Sequence, residues 1–247
     1  MINPPADLQA KWGKLITLLA AYPRVGVALS GGVDSALVAC AATKALGGQH
    51  VIAFTIVSPV EDVQEAETAR QTAAQLGVQH QLISWNDLLT PGFAANPPDR
   101  CYLCKKERMQ QIATQAAALE VACLCDGSNL DDTLDYRPGR RALQELGVLS
   151  PLALAGLSKA DVRALAKWQN LKVWDKPSMP CLATRIPYDT PICIEDIQRI
   201  AAAESYLRGL GFNPLRVRLH AGLARVELQP QQFAQFLQQH QEILSTF

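Results

Sequence analysis

The sequence predicts an α/β protein in which a doubly wound parallel sheet is followed by a small α+β C-terminal domain. Short apolar segments alternate with helical segments over roughly the first 165 residues, and this alternation is typical of βαβ units and a parallel sheet. The strand segments are continuously apolar, as expected for a sheet covered on both faces. After residue 193 the pattern changes to a helix, a hairpin and a final helix.

Four strands are predicted in the first part of the chain, and all but the third are short apolar runs. They cover residues 24–29, 50–57, 79–84 and 121–125. The helices are predicted from acidic first turns, prolines near the start, or glycine beyond the end. They cover residues 35–46, 61–76, 96–120 and 158–169. We therefore predict one domain over residues 1–170.

A proline-rich irregular segment separates this domain from the rest of the chain. It carries Cys181, and we predict a cysteine-bearing loop over residues 171–193. Beyond it lie an amphipathic helix, two alternating strands joined by Ala221-Gly222, and a glutamine-rich helix that begins after Pro230. These elements predict a C-terminal domain over residues 194–247.

Composition and charge argue against some classes of binding partner. The chain has 23 basic and 23 acidic side chains and a formal net charge of zero, which argues against a nucleic-acid partner. The apolar stretches are shorter than the roughly 18 residues that a membrane span needs, and the N-terminus lacks a signal-peptide pattern. We therefore expect a cytoplasmic protein whose seven cysteines remain reduced.

The strongest local signal is the turn that follows the first predicted strand. Its sequence, Ser30-Gly31-Gly32-Val33-Asp34-Ser35, leads directly into a helix. Free backbone N–H groups and the helix dipole make such a turn a phosphate cradle, and Asp34 would suit a bridging Mg²⁺ ion. The lysine of a Walker A loop is absent. The alternative is an ordinary tight turn between a strand and a helix.

The cysteines fall into two groups. Cys101 and Cys104 form a CxxC whose spacing places both sulfurs on one helix face, and Cys181 is the best candidate for a third ligand. A metal or cluster site, a redox pair and two buried small residues remain open for the CxxC, with the redox pair least favoured. Structural roles are predicted for the others, which are Cys40, Cys123, Cys125 and Cys193.

The predicted hairpin is rich in arginine. Arg216 and Arg218 share one face of the first strand, while Arg225 and Glu227 share the polar face of the next. Arginine forks suit phosphate oxygens. A solvated strand face with a cross-strand salt bridge is the alternative, and spacing alone favours it.

The SGGVDS turn resembles the pyrophosphate loop of the PP-loop ATP pyrophosphatases. The resemblance implies a HUP-like, Rossmann-like sheet and the cleavage of ATP to AMP and pyrophosphate, with Mg²⁺ as cofactor. It implies that the turn holds pyrophosphate and the metal through Ser30, Gly31, Gly32, Asp34 and Ser35. It also implies contacts to the nucleotide from Thr55, Gly127 and Ser128.

Further motifs extend a closer resemblance, to the LarE family, over nearly the whole chain. They are residues 96–102 (NPPDRCY), 126–132 (DGSNLDD), 135–139 (DYRPG), 174–185 (WDKPSMPCLATR), 216–218 and 224–227. The resemblance implies an ATP-dependent sulfur transferase of nickel-pincer nucleotide cofactor synthesis. Such an enzyme adenylates a pyridinium dicarboxylate mononucleotide and installs sulfur to give a thiocarboxylate.

The LarE resemblance also implies residue roles. Cys181 either gives up its own sulfur or joins Cys101 and Cys104 in holding a [4Fe–4S] cluster that delivers sulfide. Arg185, Arg216 and Arg218 would bind the substrate phosphate. Glu204 and Glu227 would be metal ligands. The family further implies a homo-oligomer, such as a hexamer.

Two other functions remain as alternatives. A tRNA thiolation enzyme uses the same loop, but neutral charge and the lack of an added basic domain disfavour it. A non-catalytic nucleotide-sensing or metal-binding module is the second. An amidotransferase-type synthetase is disfavoured because no glutaminase segment is present.

Overall fold

Parallel strand pairing organises the first of two units in the computed structural model, which describes residues 4–133 and 138–246. Within these residues, this unit spans 4–58, 63–85 and 99–179, and its sheet has the order β3-β2-β1-β4. Its strands are β1 (Val25–Ala28), β2 (Val51–Val57), β3 (Gln79–Ser84) and β4 (Cys123–Cys125). All three pairings are parallel, which confirms the predicted α/β class.

Helices flank this sheet. They are α1 (Ala6–Ala20), α2 (Val33–Leu46), α3 (Val63–Leu76), α4 (Arg100–Ala118), α5 (Gly139–Glu145), α6 (Pro151–Leu154) and α7 (Lys159–Trp168). The helix α2 is the central one, because it is buried along most of its length and its residues form one core with β1 and α1. Trp12 and Trp168 pack edge to face at 6.1 Å between ring centroids. On the other side of the sheet, Phe54 packs with Met109 and Ile112 of α4.

Two of the helix starts that differ from the sequence prediction bear on predicted site residues. The helix α2 begins at Val33 rather than at 35, so Asp34 and Ser35 lie in its first turn. The helix predicted over 96–120 begins only at Arg100. Asn96 has a φ of 59°, and a residue before proline is disfavoured in the helical region. The early start was therefore wrong.

The second unit comprises residues 59–62, 86–98 and 180–246. Its regular elements are α8 (Ile194–Gly209), β5 (Leu215–His220), β6 (Leu223–Leu228) and α9 (Phe233–Thr246). The strands β5 and β6 form the predicted antiparallel hairpin. Their small core comprises Leu207, Phe212, Leu215, Val217 and Ile243. The domain boundaries at 170 and 193 stay predictions.

Asn96 ties two segments of the second unit together. Its side-chain Nδ2 donates to the carbonyls of Pro187 and Thr190 at 2.7 and 2.9 Å, while its own carbonyl accepts from the amide of Asp189. These bonds hold the chain that follows residue 185. No helix in the described residues is long and apolar enough to cross a membrane.

Candidate functional site

The turn after β1 is held by a serine pair. The Ser35 hydroxyl accepts from the Ser30 amide at 3.1 Å and donates to the Gly32 carbonyl at 3.2 Å, and the two serine hydroxyls lie 3.1 Å apart. Gly31 has a φ of 79°, and a Cβ there would collide with the Glu65 carbonyl. The turn is therefore preorganised at the start of α2, where backbone N–H groups and the helix dipole favour an anion.

Asp34 has polar partners from two distant parts of the first unit. Asn129 donates through Nδ2 to Asp34 Oδ1 at 3.0 Å, and the Lys159 ammonium pairs with Asp34 Oδ2. Lys159 is the first residue of α7, whose start is fixed by the Ser158–Asp161 capping box. The sequence prediction missed Lys159, although the capping box that marks this helix start was the available signal.

A second lysine reaches the same turn. Lys176 Nζ donates to the Gly31 carbonyl at 3.1 Å and pairs with Glu65 Oε1 at 2.8 Å. From the sequence, Lys176 belongs to the motif at residues 174–185 and has no predicted role of its own. The turn thus has two ammonium groups beside it, which suits a polyanionic ligand such as a triphosphate.

The turn that follows β4 packs against the start of α2. A Cβ on Gly127 would lie 2.7 Å from the Ser35 amide nitrogen, so the main chain of Gly127 touches the first turn of that helix. The buried Asp126 accepts from the Ser128 and Ser150 hydroxyls at 2.5 and 2.7 Å. The structure therefore brings Gly127 and Ser128 to the Ser30–Ser35 turn, as expected for the ends of neighbouring parallel strands.

The side chain of Thr55 is buried. Its hydroxyl donates to the Leu29 carbonyl at 2.6 Å and bonds His80 Nε2 at 2.8 Å. Burial and the nearby Arg70 lower the pKa of His80. The hydroxyl thus supports the end of β1, and a nucleotide contact from Thr55 stays a prediction.

The three predicted cluster cysteines lie in different settings. Cys101 is exposed and Cys104 partly buried in the first turn of α4, whereas Cys181 is partly buried in the second unit. Within the described residues, no group of three or more His, Cys, Asp or Glu side chains is placed to hold a metal ion. The cluster stays a prediction.

The other four cysteines differ from one another in burial. Burial raises the pKa of the Cys40 thiol to about 11, which fits an inert core residue. The sulfurs of Cys123 and Cys125 lie 3.9 Å apart, with Cys123 only partly buried. Cys193 is exposed at the residue before α8.

Cys181 precedes a short 3-10 turn, Leu182–Arg185. The Thr184 amide and hydroxyl both donate to the Cys181 carbonyl, at 3.0 and 2.8 Å. The Leu182 amide donates to the Val60 carbonyl at 2.8 Å. The main chain around Cys181 is therefore tightly held.

Arg185 and Glu204 were predicted as a phosphate ligand and a metal ligand, but they bind each other. The Arg185 guanidinium is 1% exposed and the Glu204 carboxylate 0%, and they form two hydrogen bonds of 2.7 and 3.1 Å. Glu204 Oε1 also accepts from the Val217 amide at 3.0 Å. These bonds occupy both side chains, and the phosphate role of Arg185 and the metal role of Glu204 stay predictions.

The hairpin contains the cross-strand salt bridge that the sequence left as an alternative. Glu227 accepts from Arg218 and Arg225 at 2.8 and 2.5 Å, and these arginines lower its pKa to about 2. Both arginines bond the same oxygen, Glu227 Oε1, and the metal role of Glu227 stays a prediction. Arg216 pairs in register with Glu227, and the phosphate roles of Arg216 and Arg218 stay predictions.

A cavity of about 740 Å³ adjoins this hairpin within the second unit. Its polar lining includes Arg199 and Tyr206 of α8, Arg218 of β5 and Thr246 of α9. Three residues of the predicted motif at 135–139 lie outside the described residues, and they are Asp135, Tyr136 and Arg137. Pro138 and Gly139 lead into α5.

The asparagine synthase family model matches residues 17–95, which include the turn after β1. An uncharacterized protein of Synechocystis sp. is 43% identical over 97% of this chain and 90% of its own length.

Two further relatives have named activities. Pyridinium-3,5-bisthiocarboxylic acid mononucleotide synthase of Lactiplantibacillus plantarum is 37% identical over 94% of this chain and 84% of its own length. An NH(3)-dependent NAD(+) synthetase of Methanoregula boonei is 33% identical over 29% of this chain and 31% of its own length. The first similarity spans both units, whereas the second is local.

Proposed function

Because the chain belongs to the LarE family of PP-loop ATP-dependent sulfur transferases, we propose that it acts on a pyridinium dicarboxylate mononucleotide in nickel-pincer cofactor synthesis. The chain is an adenylating sulfurtransferase. The product would be a thiocarboxylate, in keeping with the bisthiocarboxylic acid in the name of the Lactiplantibacillus plantarum relative.

The proposed adenylation step is supported by one observation, which is the arrangement of donor groups around the Ser30–Ser35 turn. The serine pair, Lys159, Lys176 and the start of α2 surround one turn with donors. ATP would place its β- and γ-phosphates on these groups. A substrate carboxylate oxygen then attacks the α-phosphorus, and pyrophosphate leaves. Positioning and charge neutralisation supply most of the catalysis in such a transfer.

Asp34 fits a magnesium ligand. Mg²⁺ is commonly held by one or two carboxylates together with substrate phosphates, and Asp34 lies in the first turn of α2 beside the predicted phosphate position. When bound, the metal would neutralise charge on the leaving pyrophosphate. The Lys159 ammonium, now paired with Asp34, would shift toward the phosphates in that state.

Cys181 supplies the sulfur in the simplest form of the second step. Its sulfur attacks the acyl carbon of the adenylate, and AMP leaves. Loss of the Cys181 Cα proton then breaks the Cβ–Sγ bond, releasing the thiocarboxylate and leaving dehydroalanine. In the other form Cys101, Cys104 and Cys181 would hold a cluster, which would supply the sulfide when bound.

The Cys181→Ala variant tests the sulfur role. We expect it to abolish thiocarboxylate formation while pyrophosphate release in the presence of substrate continues, because no group at the Ser30–Ser35 turn is altered. Cys193→Ala, at an exposed cysteine of the same unit, is the control and should behave as wild type. Sulfur transfer by Cys181→Ala at the wild-type rate would refute the assignment.

The sulfur source needs a separate measurement. Anaerobic purification with iron and sulfide analysis would be paired with the intact mass after turnover. Loss of one H₂S from the polypeptide indicates the sacrificial form, whereas iron without that loss indicates the cluster form. Pyrophosphate release that does not depend on substrate would contradict adenylation.

Oligomeric state, cellular compartment and nucleic-acid binding are part of the same proposal. We propose a cytoplasmic homo-oligomer that acts without a nucleic-acid partner, on the basis of the family and the balanced charge. Light scattering of the purified protein tests the first point, and copurification of tRNA would contradict the last.

A further inference from the structure

We propose that Arg185 and Glu204 are positioning residues that fix the main chain at Cys181, and that they bind neither the substrate phosphate nor a metal. The inference rests on the proposed sulfur role of Cys181. It starts from the burial of the pair, since both side chains are at most 1% exposed. A ligand for an incoming phosphate or a hydrated cation needs an accessible face.

The hydrogen bonds of Glu204 leave little room for a metal. One oxygen accepts from Arg185 Nε and from the Val217 amide, and the other accepts from Arg185 Nη2. Arg208 approaches the second oxygen at 3.5 Å. Divalent ions bind carboxylates through these same lone pairs, so metal binding would require both the ion pair and the bond to β5 to break.

From Arg185 the contacts run directly to the residues around Cys181. Arg185 Nη1 donates to the Pro180 carbonyl at 3.0 Å and to the Thr184 hydroxyl at 2.9 Å. That hydroxyl in turn donates to the Cys181 carbonyl. The guanidinium thus holds the residue before Cys181 and, through Thr184, Cys181 itself.

The far end of this network is anchored in regular structure. Glu204 belongs to α8, and Val217 belongs to β5. Arg218 of β5 adds a bond from Nη1 to the Thr184 carbonyl at 2.9 Å. The position of the Cys181 main chain is therefore set by the helix and the hairpin of the second unit, through charge-assisted bonds that are short and directional.

The positioning of the Cys181 main chain should affect the rate of sulfur transfer. Attack on an acyl carbon requires a near-attack geometry, and a misplacement of about 1 Å can cost about a hundredfold in rate. Loosening the network should therefore slow sulfur transfer. Adenylation uses the Ser30–Ser35 turn and should be unaffected.

Thr184→Val is the most local test, because it removes the hydroxyl between Arg185 and Cys181 and leaves the buried ion pair intact. We expect sulfur transfer to slow by about tenfold or more, with unchanged substrate-dependent pyrophosphate release and unchanged KM for the substrate. Thr190→Val, at an exposed threonine of the same unit, is the matched control and should change neither rate.

Alkylation of the free enzyme by iodoacetamide gives a readout that does not depend on turnover. In Thr184→Val and Arg185→Lys we expect Cys181 to be alkylated several-fold faster than in wild type, because local opening exposes the thiol. The buried Cys40, followed by peptide mass spectrometry in the same sample, should remain protected if the first unit stays folded. Circular dichroism checks the fold of the whole chain.

The competing roles predict different results. If Arg185 binds the substrate phosphate, Arg185→Lys raises the KM for the substrate and leaves Cys181 alkylation unchanged. If Glu204 binds a metal, added divalent cation restores the activity of Glu204→Gln. Either result overturns the proposal. Failure of the proposed function would appear separately, as sulfur transfer by Cys181→Ala at the wild-type rate.

Discussion

At Gly127 the main chain passes so close to the first turn of α2 that only hydrogen fits as a side chain. The Cβ of an alanine would meet the Ser35 amide nitrogen at 2.7 Å and the Ser35 Cα at 3.1 Å. Both atoms are backbone, so the strain cannot be relieved by a rotamer change. The close approach fixes the turn after β4 against the predicted phosphate-binding turn.

Gly127→Ala should therefore impair nucleotide use. We expect ATP-dependent pyrophosphate release to fall by about tenfold or more, since a small displacement of positioned groups is costly in rate. Gly13→Ala is the matched control, because nothing lies within 4 Å of its added Cβ. Equal pyrophosphate release by the two variants would contradict the role of Gly127.

Among the elements, α7 shows most directly how a local sequence pattern places a functional group. The Ser158 hydroxyl accepts from the Asp161 amide at 3.2 Å, and Asp161 Oδ2 accepts from the Ser158 amide at 3.1 Å. Lys11 of α1 also pairs with Asp161 at 2.7 Å. This capped start presents Lys159 to Asp34.

Ser158→Ala should destabilise the protein by about 1 kcal/mol, the usual cost of losing an N-cap hydroxyl. Urea unfolding measures this free energy. Ser245→Ala is the control, because its exposed hydroxyl donates only to the Glu242 carbonyl near the end of α9, and it should stay within about 0.5 kcal/mol of wild type. A cap variant as stable as this control would contradict the prediction.

Over the whole molecule, several titratable groups have lowered pKa values, and their effects on stability share one sign. Hydrogen bonds from Arg218 and Arg225 lower the pKa of Glu227 to about 2. Burial raises the pKa of Asp161, but bonds from Lys11 and Ser158 outweigh it. Burial and Arg70 lower the pKa of His80. In each case the unfolded chain binds more protons, so stability falls as pH falls.

The free energy of unfolding should therefore decline below the ordinary His value of 6.5 and more steeply below the ordinary carboxyl values of 4.5 and 3.8. Urea unfolding at pH 7, 5, 4 and 3 measures the profile. Glu227→Gln should flatten its acid limb, because the glutamine does not titrate. A profile that stays level from pH 7 to pH 3 would contradict the prediction.

Local sequence patterns were enough to predict the sheet, the turn after β1 and the hairpin. The predicted family and the adenylating sulfur transfer are confirmed by the relative that shares 37% identity over most of the chain. Lys159 and Lys176 were missed because they lie 125 and 145 residues from Asp34 and Gly31. No local periodicity encodes contacts of that range.

The pairing of Arg185 with Glu204 escaped prediction for a related reason. The resemblance assigned ligand roles to both residues. The identity of two residues in a sequence does not show that their guanidinium and carboxylate groups form an ion pair in a core. The segments 59–62 and 86–98 join the C-terminal unit through contacts such as those of Asn96. From the sequence, residues 61–62 and 96–98 were predicted as parts of helices of the first domain.

The contacts described around Cys181 have a consequence for the lifetime of each copy of the protein. Thr184 bonds the Cys181 carbonyl, and the Leu182 amide donates to the Val60 carbonyl, so neither bond uses the Cys181 side chain. A copy that had surrendered its sulfur would keep its shape and its nucleotide turn. It would persist as a folded, inert competitor for substrate, and flux would then depend on how quickly such exhausted copies are cleared or recharged.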